Sequence, residues 1–113
     1  MDEIVPTGTT WISELKNGEI RNFELTPEEA GLKRSKFDDL KGGEAEHNAK
    51  ALRAVLNGQA SAFSDAAAMT AGAALLVAGK ANDIKSGVKL AQEAIKSGSA
   101  LKTLARLVEV SNS

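Results

Sequence analysis

The feature that most constrains the fold is an apolar stretch, AAAMTAGAALLVAG, which runs from Ala66 to Gly79. It lies in a predicted helix from Ala62 to Ala78 that is apolar on nearly every side. The stretch is too short to cross a bilayer, which takes about 20 apolar residues. A helix that is apolar all round lies at the centre of a domain, so this one requires neighbours on most of its sides.

A β-hairpin is predicted ahead of this helix. Residues Thr9 to Leu15 and Glu19 to Leu25 contain β-branched, aromatic and alternating residues, and Lys16-Asn17-Gly18 joins them. Asn-Gly favours a tight turn because both residues tolerate positive φ. The alternation in the second strand places Ile20, Asn22 and Glu24 on one face and Arg21, Phe23 and Leu25 on the other. A two-stranded hairpin alone is only marginally stable in water.

The other predicted elements are short. Thr26-Pro27 begins a single helical turn that Gly31 ends, and a polar loop with a brief helix around Phe37 to Leu40 follows. Three amphipathic helices complete the chain: Glu44 to Asn57, Ile84 to Ser97 and Ala100 to Glu109. The candidate caps are Ser61, Ser64 or Asp65 for the apolar helix, and Asn82 or Asp83 for the helix after it. These helices provide too few neighbours for the apolar one, so the sequence expects a sheet that it does not contain.

Composition narrows the classes of function. The 113 residues allow one domain at most, and 42% hydrophobic with 26% charged residues is typical of a globular protein. The net charge of −1 leaves no basic stripe for nucleic acid, and we expect no membrane partner. The absence of cysteine excludes disulfides and thiolate metal sites and is compatible with a reducing cytoplasm, where we expect the protein to be. No apolar signal-peptide region precedes Pro6.

Asp2 and Glu3 form the candidate metal site. Carboxylates are hard oxygen ligands, and Mg²⁺ commonly binds one or two of them together with water and substrate phosphates. Adjacent acids are also common as solvated charges, and their spacing alone favours that second interpretation. The residues by themselves leave both open.

Other candidates have a structural explanation that we prefer. His47, the only histidine, is expected on an exposed helix surface, and Gly42-Gly43 is expected to be a turn rather than an anion site. The hydroxyl-rich segment 6–10 lacks the lysine and spacing of a P-loop. Trp11 is expected to anchor the core or a sheet face, and Asp65 to cap a helix. No nucleophile–base pair, metal-spaced histidines or phosphate loop stands out, so the residues alone leave the function undetermined.

The order of several motifs points to a family. They are DEIVPTGTTWISELKNGEI, LTPEEAGL, DLKGGEAEHNAKALRAVLNG and DAAAMTAGAALLVAGKANDIKSGVKLAQEAIKSGSAL. Together they resemble the C-terminal third of the anthranilate phosphoribosyltransferases, and the resemblance covers essentially the whole chain. Two departures occur: Ser61 stands where the family usually has glycine, and Thr70-Ala71-Gly72 replaces an Asn-Ala-Ala run.

The resemblance implies a fold and an activity. Residues 1–113 would form the C-terminal part of an α/β domain, with a metal-ligand segment and hairpin at 1–26 and a helical part at 27–113. The family transfers a phosphoribosyl group from phosphoribosyl pyrophosphate to anthranilate in tryptophan biosynthesis. Its Asp-Glu pair, which falls on Asp2 and Glu3, helps hold Mg²⁺ on the pyrophosphate.

The same resemblance implies what lies elsewhere. The glycine-rich loop and the contacts to both substrates belong to the N-terminal part of such an enzyme, which is expected to be a homodimer when intact. No catalytic residue is therefore expected in this chain, and the chain alone is expected to be inactive. Two alternatives remain at this point: a freestanding, non-catalytic helical module with a protein partner on its apolar hairpin face, and a related nucleoside phosphorylase or non-catalytic paralogue of the same fold.

Overall fold

A computed structural model describes residues 3–113 and contains a two-stranded antiparallel hairpin followed by four α-helices, as predicted. The strands are β1 (Thr10–Lys16) and β2 (Glu19–Leu25), and a 3₁₀ turn follows at Phe37–Leu40. The helices are α1 (Ala45–Leu56), α2 (Ala62–Val77), α3 (Ile84–Lys96) and α4 (Ser99–Ser111). Within residues 3–113, no third strand joins the hairpin, and no helix is long and apolar enough to cross a membrane.

The Asn-Gly turn determines the hairpin register. Asn17 and Gly18 have φ angles of 53° and 79°, the two positive values that a type I′ turn requires. Lys16 pairs with Glu19 on either side of this turn, and the ladder then runs to the pair Thr10–Leu25. β2 has its predicted bounds, whereas β1 begins and ends one residue later than predicted because Lys16 closes the turn.

The segment after the hairpin is fixed by a short capped turn. The backbone N–H of Thr26 donates to Glu29 Oε2 at 2.7 Å, and the Glu29 N–H donates back to Thr26 Oγ1 at 3.4 Å. Such reciprocal bonds satisfy amides that a helix start leaves free. Ala30 is buried, and Gly31, at φ 82°, ends the turn as predicted.

The core lies where α2, α3 and the hairpin meet. Its buried residues are Leu25, Ala30, Ala68, Met69, Val88 and Ala91. Ile12, on the inner face of β1, packs against this cluster, so the hairpin is attached to the helices through one face only. Met69 is completely buried at the centre of the core.

Two glycines bring α2 and α3 into backbone contact. A Cβ added to Gly72 would lie 2.6 Å from the backbone nitrogen of Val88, and one added to Gly87 would overlap the carbonyl oxygen of Gly72. Neither position has room for a side chain, because real Cβ atoms do not approach backbone atoms so closely. Gly72 belongs to the segment that departs from the family pattern, and here it permits this close crossing.

The helix caps are more specific than the sequence indicated. Ser61 caps α2: its hydroxyl accepts from the Ser64 N–H at 3.1 Å, and Ser64 Oγ accepts from the Ser61 N–H at 2.9 Å. The prediction that Asp65 is a cap is therefore wrong, because Asp65 already lies inside the first turn. Asp83 caps α3, with Oδ1 accepting from the Ser86 N–H at 2.7 Å.

The apolar helix α2 is not covered on all sides in this chain, in agreement with the expectation that the chain provides too few neighbours for it. Ala67, Ala71, Ala74 and Val77 are exposed along one side of α2, and Val77 is 90% exposed. The whole chain exposes 8069 Å², whereas a folded protein of this mass exposes about 5,900 Å². Its radius of gyration is 14.9 Å, against about 13 Å for a compact domain of this length. The fold therefore leaves a large apolar surface without a neighbour.

Candidate functional site

The backbone that follows the two candidate acids is held firmly. Ile4 packs against the core, and Pro6 is fully buried. The Val5 N–H donates to Thr10 Oγ1 at 3.3 Å, and the Pro6 carbonyl accepts from the Ser35 N–H at 2.8 Å. Segment 6–10 is therefore the turn that leads into the hairpin. Its contacts also fix the position of the backbone just after Glu3.

Of the predicted metal ligands, Glu3 is exposed and Asp2 lies outside the described residues. In the part of the chain from residue 3 onward, no three His, Cys, Asp or Glu side chains are grouped as a metal site. Two carboxylates are an incomplete set, but Mg²⁺ usually takes only one or two from protein and the rest from water and phosphate. The donor chemistry of this pair therefore fits a magnesium ion shared with a phosphorylated ligand.

The backbone groups of Gly43 in the diglycine turn are hydrogen-bonded to the Asn48 side chain, so they are not free for an anion. The Gly43 N–H donates to Asn48 Oδ1 at 2.9 Å, and Asn48 Nδ2 donates to the Gly43 carbonyl at 2.8 Å. The His47 side chain is exposed and lies beside Gly43, where an added Cβ would meet the ring at 3.1 Å. These contacts support the structural interpretation of Gly43 and His47.

The structure also shows where Trp11 and Asp65, two other candidate residues, lie. Trp11 lies on the outer face of β1 and is 78% exposed, so it belongs to a sheet face but not to the core. Asp65 is only partly exposed on α2, and desolvation by burial raises the pKa of its carboxyl. The structure does not bring either residue next to Glu3 in a shared cavity.

Sequence reasoning missed a groove of about 620 Å³ along β1. It is lined by Ile4, all seven residues of β1, alternate residues of β2, Ala73, Leu76, Val77 and residues 82–84. Arg21 bridges to Glu14 at 3.3 Å and lies 4.8 Å from the centroid of the Phe23 ring. The alternation of the two strands together with the Asn-Gly turn already implied this cross-strand pairing, but not the open groove beside it.

Comparisons with known proteins identify the family of the chain. A model of the glycosyl transferase family, a/b domain, matches residues 1–101. The chain belongs to this family. It is 56% identical over 111 residues to an anthranilate phosphoribosyltransferase of Mesorhizobium japonicum. The aligned residues make up 98% of this chain and 33% of that protein. The resemblance stated from the motifs is thus confirmed, and the chain spans about a third of the length of the curated relatives it matches.

Solved structures agree on the fold of the family. The crystal structure of the Thermus thermophilus anthranilate phosphoribosyltransferase matches with a TM-score of 0.87 and 42% identity, over 96% of this chain and 32% of that one. A Saccharomyces cerevisiae anthranilate phosphoribosyltransferase variant with Mg bound matches with a TM-score of 0.86 at 24% identity, covering 96% of this chain and 32% of that one, a likeness of fold alone. The hairpin and four helices of this chain therefore recur inside longer α/β proteins of this family.

Proposed function

We propose that this chain is the C-terminal third of an anthranilate phosphoribosyltransferase, and that it acts only together with the remaining two thirds. The intact protein would transfer a phosphoribosyl group from phosphoribosyl pyrophosphate to anthranilate in tryptophan biosynthesis, as a cytoplasmic homodimer. The observation that carries the proposal is the 56% identity over 98% of the chain to a relative of that name three times as long.

Within this proposal, Asp2 and Glu3 would hold Mg²⁺. A bound magnesium ion supplies positive charge that stabilises a pyrophosphate leaving group. The chain's own contribution is positioning: partly buried Ile4, fully buried Pro6 and the Val5–Thr10 hydrogen bond fix the backbone directly after the acids.

Among residues 3–113, we find no further group suited to the chemistry. His47 and Gly43 are used in a structural turn, and Asp83 is used as a helix cap. Most residues that line the groove along β1 are apolar, and of its charged residues Arg21 and Glu14 pair with each other and Asp83 caps α3. We therefore expect substrate contacts to come from the other two thirds of the protein and expect the isolated chain to be inactive.

A chimera tests both the activity and the metal role. The first two thirds of the Mesorhizobium japonicum relative would be fused ahead of this chain, and anthranilate-dependent pyrophosphate release measured against magnesium concentration. We expect activity in the chimera, none in the 113-residue chain, and at least a tenfold higher magnesium requirement in Asp2→Asn with Glu3→Gln, since metal-site partners typically contribute about 10–100-fold.

A matched control replaces two exposed acids at the start of α1, a helix that does not contact the hairpin: Glu44→Gln with Glu46→Gln is expected to leave the magnesium requirement unchanged. A folded chimera that releases no pyrophosphate would refute the activity. An active chimera whose acid variant keeps the normal magnesium dependence would refute only the metal assignment.

A further inference from the structure

One threonine side chain closes the hydroxyl-rich segment that leads into β1. The Val5 N–H donates to Thr10 Oγ1 at 3.3 Å, in a partly buried hydrogen bond between residues five apart. Pro6 lies inside this loop and is fully buried, and proline has no N–H of its own to donate. The Val5 amide is thus the backbone donor that ties the start of the loop to its end.

The hairpin register determines where the Thr10 hydroxyl lies. Thr10 is the first residue of β1 and pairs with Leu25 of β2, which is buried in the core. Successive side chains of a strand point to opposite faces, so Thr10 shares the inner face of β1 with Ile12, which packs against the core. The hydroxyl that receives the Val5 N–H is therefore held by a paired strand and not by a free loop.

The same hydrogen bond fixes the backbone next to the candidate metal ligands. Ile4 packs against the core on one side of Val5, and on the other side the Pro6 carbonyl accepts from the Ser35 N–H at 2.8 Å. Glu3 directly precedes Ile4 in the chain. The Ser35 contact uses backbone atoms only and does not depend on the type of side chain, whereas the Val5 contact depends on a side-chain hydroxyl.

We propose that Thr10 is a positioning residue for the metal pair Asp2 and Glu3. Its hydroxyl holds the Val5 amide and thereby determines where the backbone of the two carboxylates begins. Mg²⁺ requires near-ideal octahedral geometry, so displacing the backbone of its ligands weakens binding. This inference rests on the proposed function for the presence of the metal, and it adds the residue that orients the ligands.

Amide hydrogen exchange in the chimera described above tests the proposal without relying on activity. Mg²⁺ with inorganic pyrophosphate is expected to slow exchange of the Glu3 and Ile4 amides in the unaltered chimera. Thr10→Val keeps a β-branched strand residue and removes the hydroxyl. We expect it to speed exchange of the Val5 amide roughly tenfold, because that amide loses its acceptor.

The magnesium requirement is the second measurement on Thr10→Val. We expect the magnesium concentration that gives half of the Glu3 protection to rise about fivefold, less than the roughly 10–100-fold effect of a group bonded directly to a metal ligand. The KM for anthranilate should stay unchanged, whereas general damage to the fold would raise it as well. Circular dichroism establishes that the variant is folded, and Thr10→Ala, which also lacks the hydroxyl, replaces it if it is not.

Two further variants are matched to Thr10→Val. Thr10→Ser keeps the hydroxyl, so the exchange rate of the Val5 amide and the magnesium requirement are both expected to return to those of the unaltered chimera. Thr9→Val removes the hydroxyl of the neighbouring, exposed threonine, and we expect it to change neither quantity.

Any of four results would overturn the proposal: no magnesium-dependent protection of Glu3 in the unaltered chimera, an unchanged Val5 amide in Thr10→Val, a faster Val5 amide with an unchanged magnesium requirement, or the same changes in Thr9→Val. Failure of the proposed function gives a different result. A folded chimera that releases no pyrophosphate, but in which Mg²⁺ protects Glu3 with the expected dependence on Thr10, keeps the positioning role and rejects the activity.

Discussion

The two sides of α2 differ in how completely they are packed. Toward α3, Met69 is completely buried and the two backbones touch at Gly72 and Gly87. On the opposite side, Ala71, Ala74 and Val77 face solvent. One side of α2 is thus packed and the other is exposed to solvent, although its sequence is apolar around the whole circumference.

This difference shows what apolar composition can and cannot specify. Burial of apolar surface stabilises by about 25 cal/mol per Å², whichever chain provides the cover. The α2–α3 interface obtains its cover from this chain, whereas the outer side of α2 and the edge of β1 do not. The apolar residues that this chain leaves exposed include Val77 on the outer side of α2 and Trp11 and Leu15 on β1.

The largest predicted effect compares two residues of α2. Met69→Ala empties a fully buried site, and we expect it to lower the free energy of unfolding by about 3 kcal/mol. Val77→Ala removes a side chain that is 90% exposed and should change it by less than about 0.5 kcal/mol. Urea unfolding followed by circular dichroism measures both, and equal losses would abolish the distinction between the two sides.

A smaller effect is expected from glycine replacement. Gly87→Ala would force α3 away from the carbonyl of Gly72, and overpacking of this kind costs about 2 kcal/mol. Gly8→Ala is the control, because no atom lies within 4 Å of the added Cβ and its φ is not positive. Thermal unfolding of both variants decides the point: an unchanged midpoint for Gly87→Ala would mean that the helix crossing relaxes freely.

The smallest effect concerns the cap of α3, beside the groove. Hydrogen bonds from the backbone and side chain of Ser86 lower the pKa of Asp83, with a smaller contribution from Lys85. Its stabilisation is therefore complete above the unfolded pKa of about 3.9 and is lost as the pH falls through the lower folded value.

Asp83→Asn keeps a good cap but removes the charge. The stability difference between the native chain and this variant should shrink between about pH 5 and about pH 3 in urea titrations. A difference that stays constant over that range would show that the carboxylate charge adds nothing to the cap.

Local signals in the sequence predicted most of the fold. Asn17-Gly18 specified the turn and hence the register, and each helix ended within two residues of its predicted bounds. These features depend on backbone preferences and on caps such as Ser61 and Asp83, which act over a few residues. Such information is contained in the sequence at the place where it acts.

The coverage of each surface and the candidate site were less predictable. Alternation separated the two faces of β2, but the pattern in β1 did not determine that Ile12 faces the core while Trp11 is exposed. The spacing of Asp2 and Glu3 alone favoured solvated charges over a metal site, since a shared ligand set needs groups that lie far away in sequence or in other polypeptide. The family resemblance, not periodicity, therefore assigned the metal role.

The Gly72–Gly87 crossing also sets the width of the groove. Ile84 and Asp83, at the start of α3, form part of the groove wall, so the depth at which α3 rests on α2 determines how far that wall stands from β1. Because neither glycine has a side chain, the backbones of α2 and α3 lie in direct contact. Substituting either glycine would therefore change the width of the groove without replacing any residue that lines it.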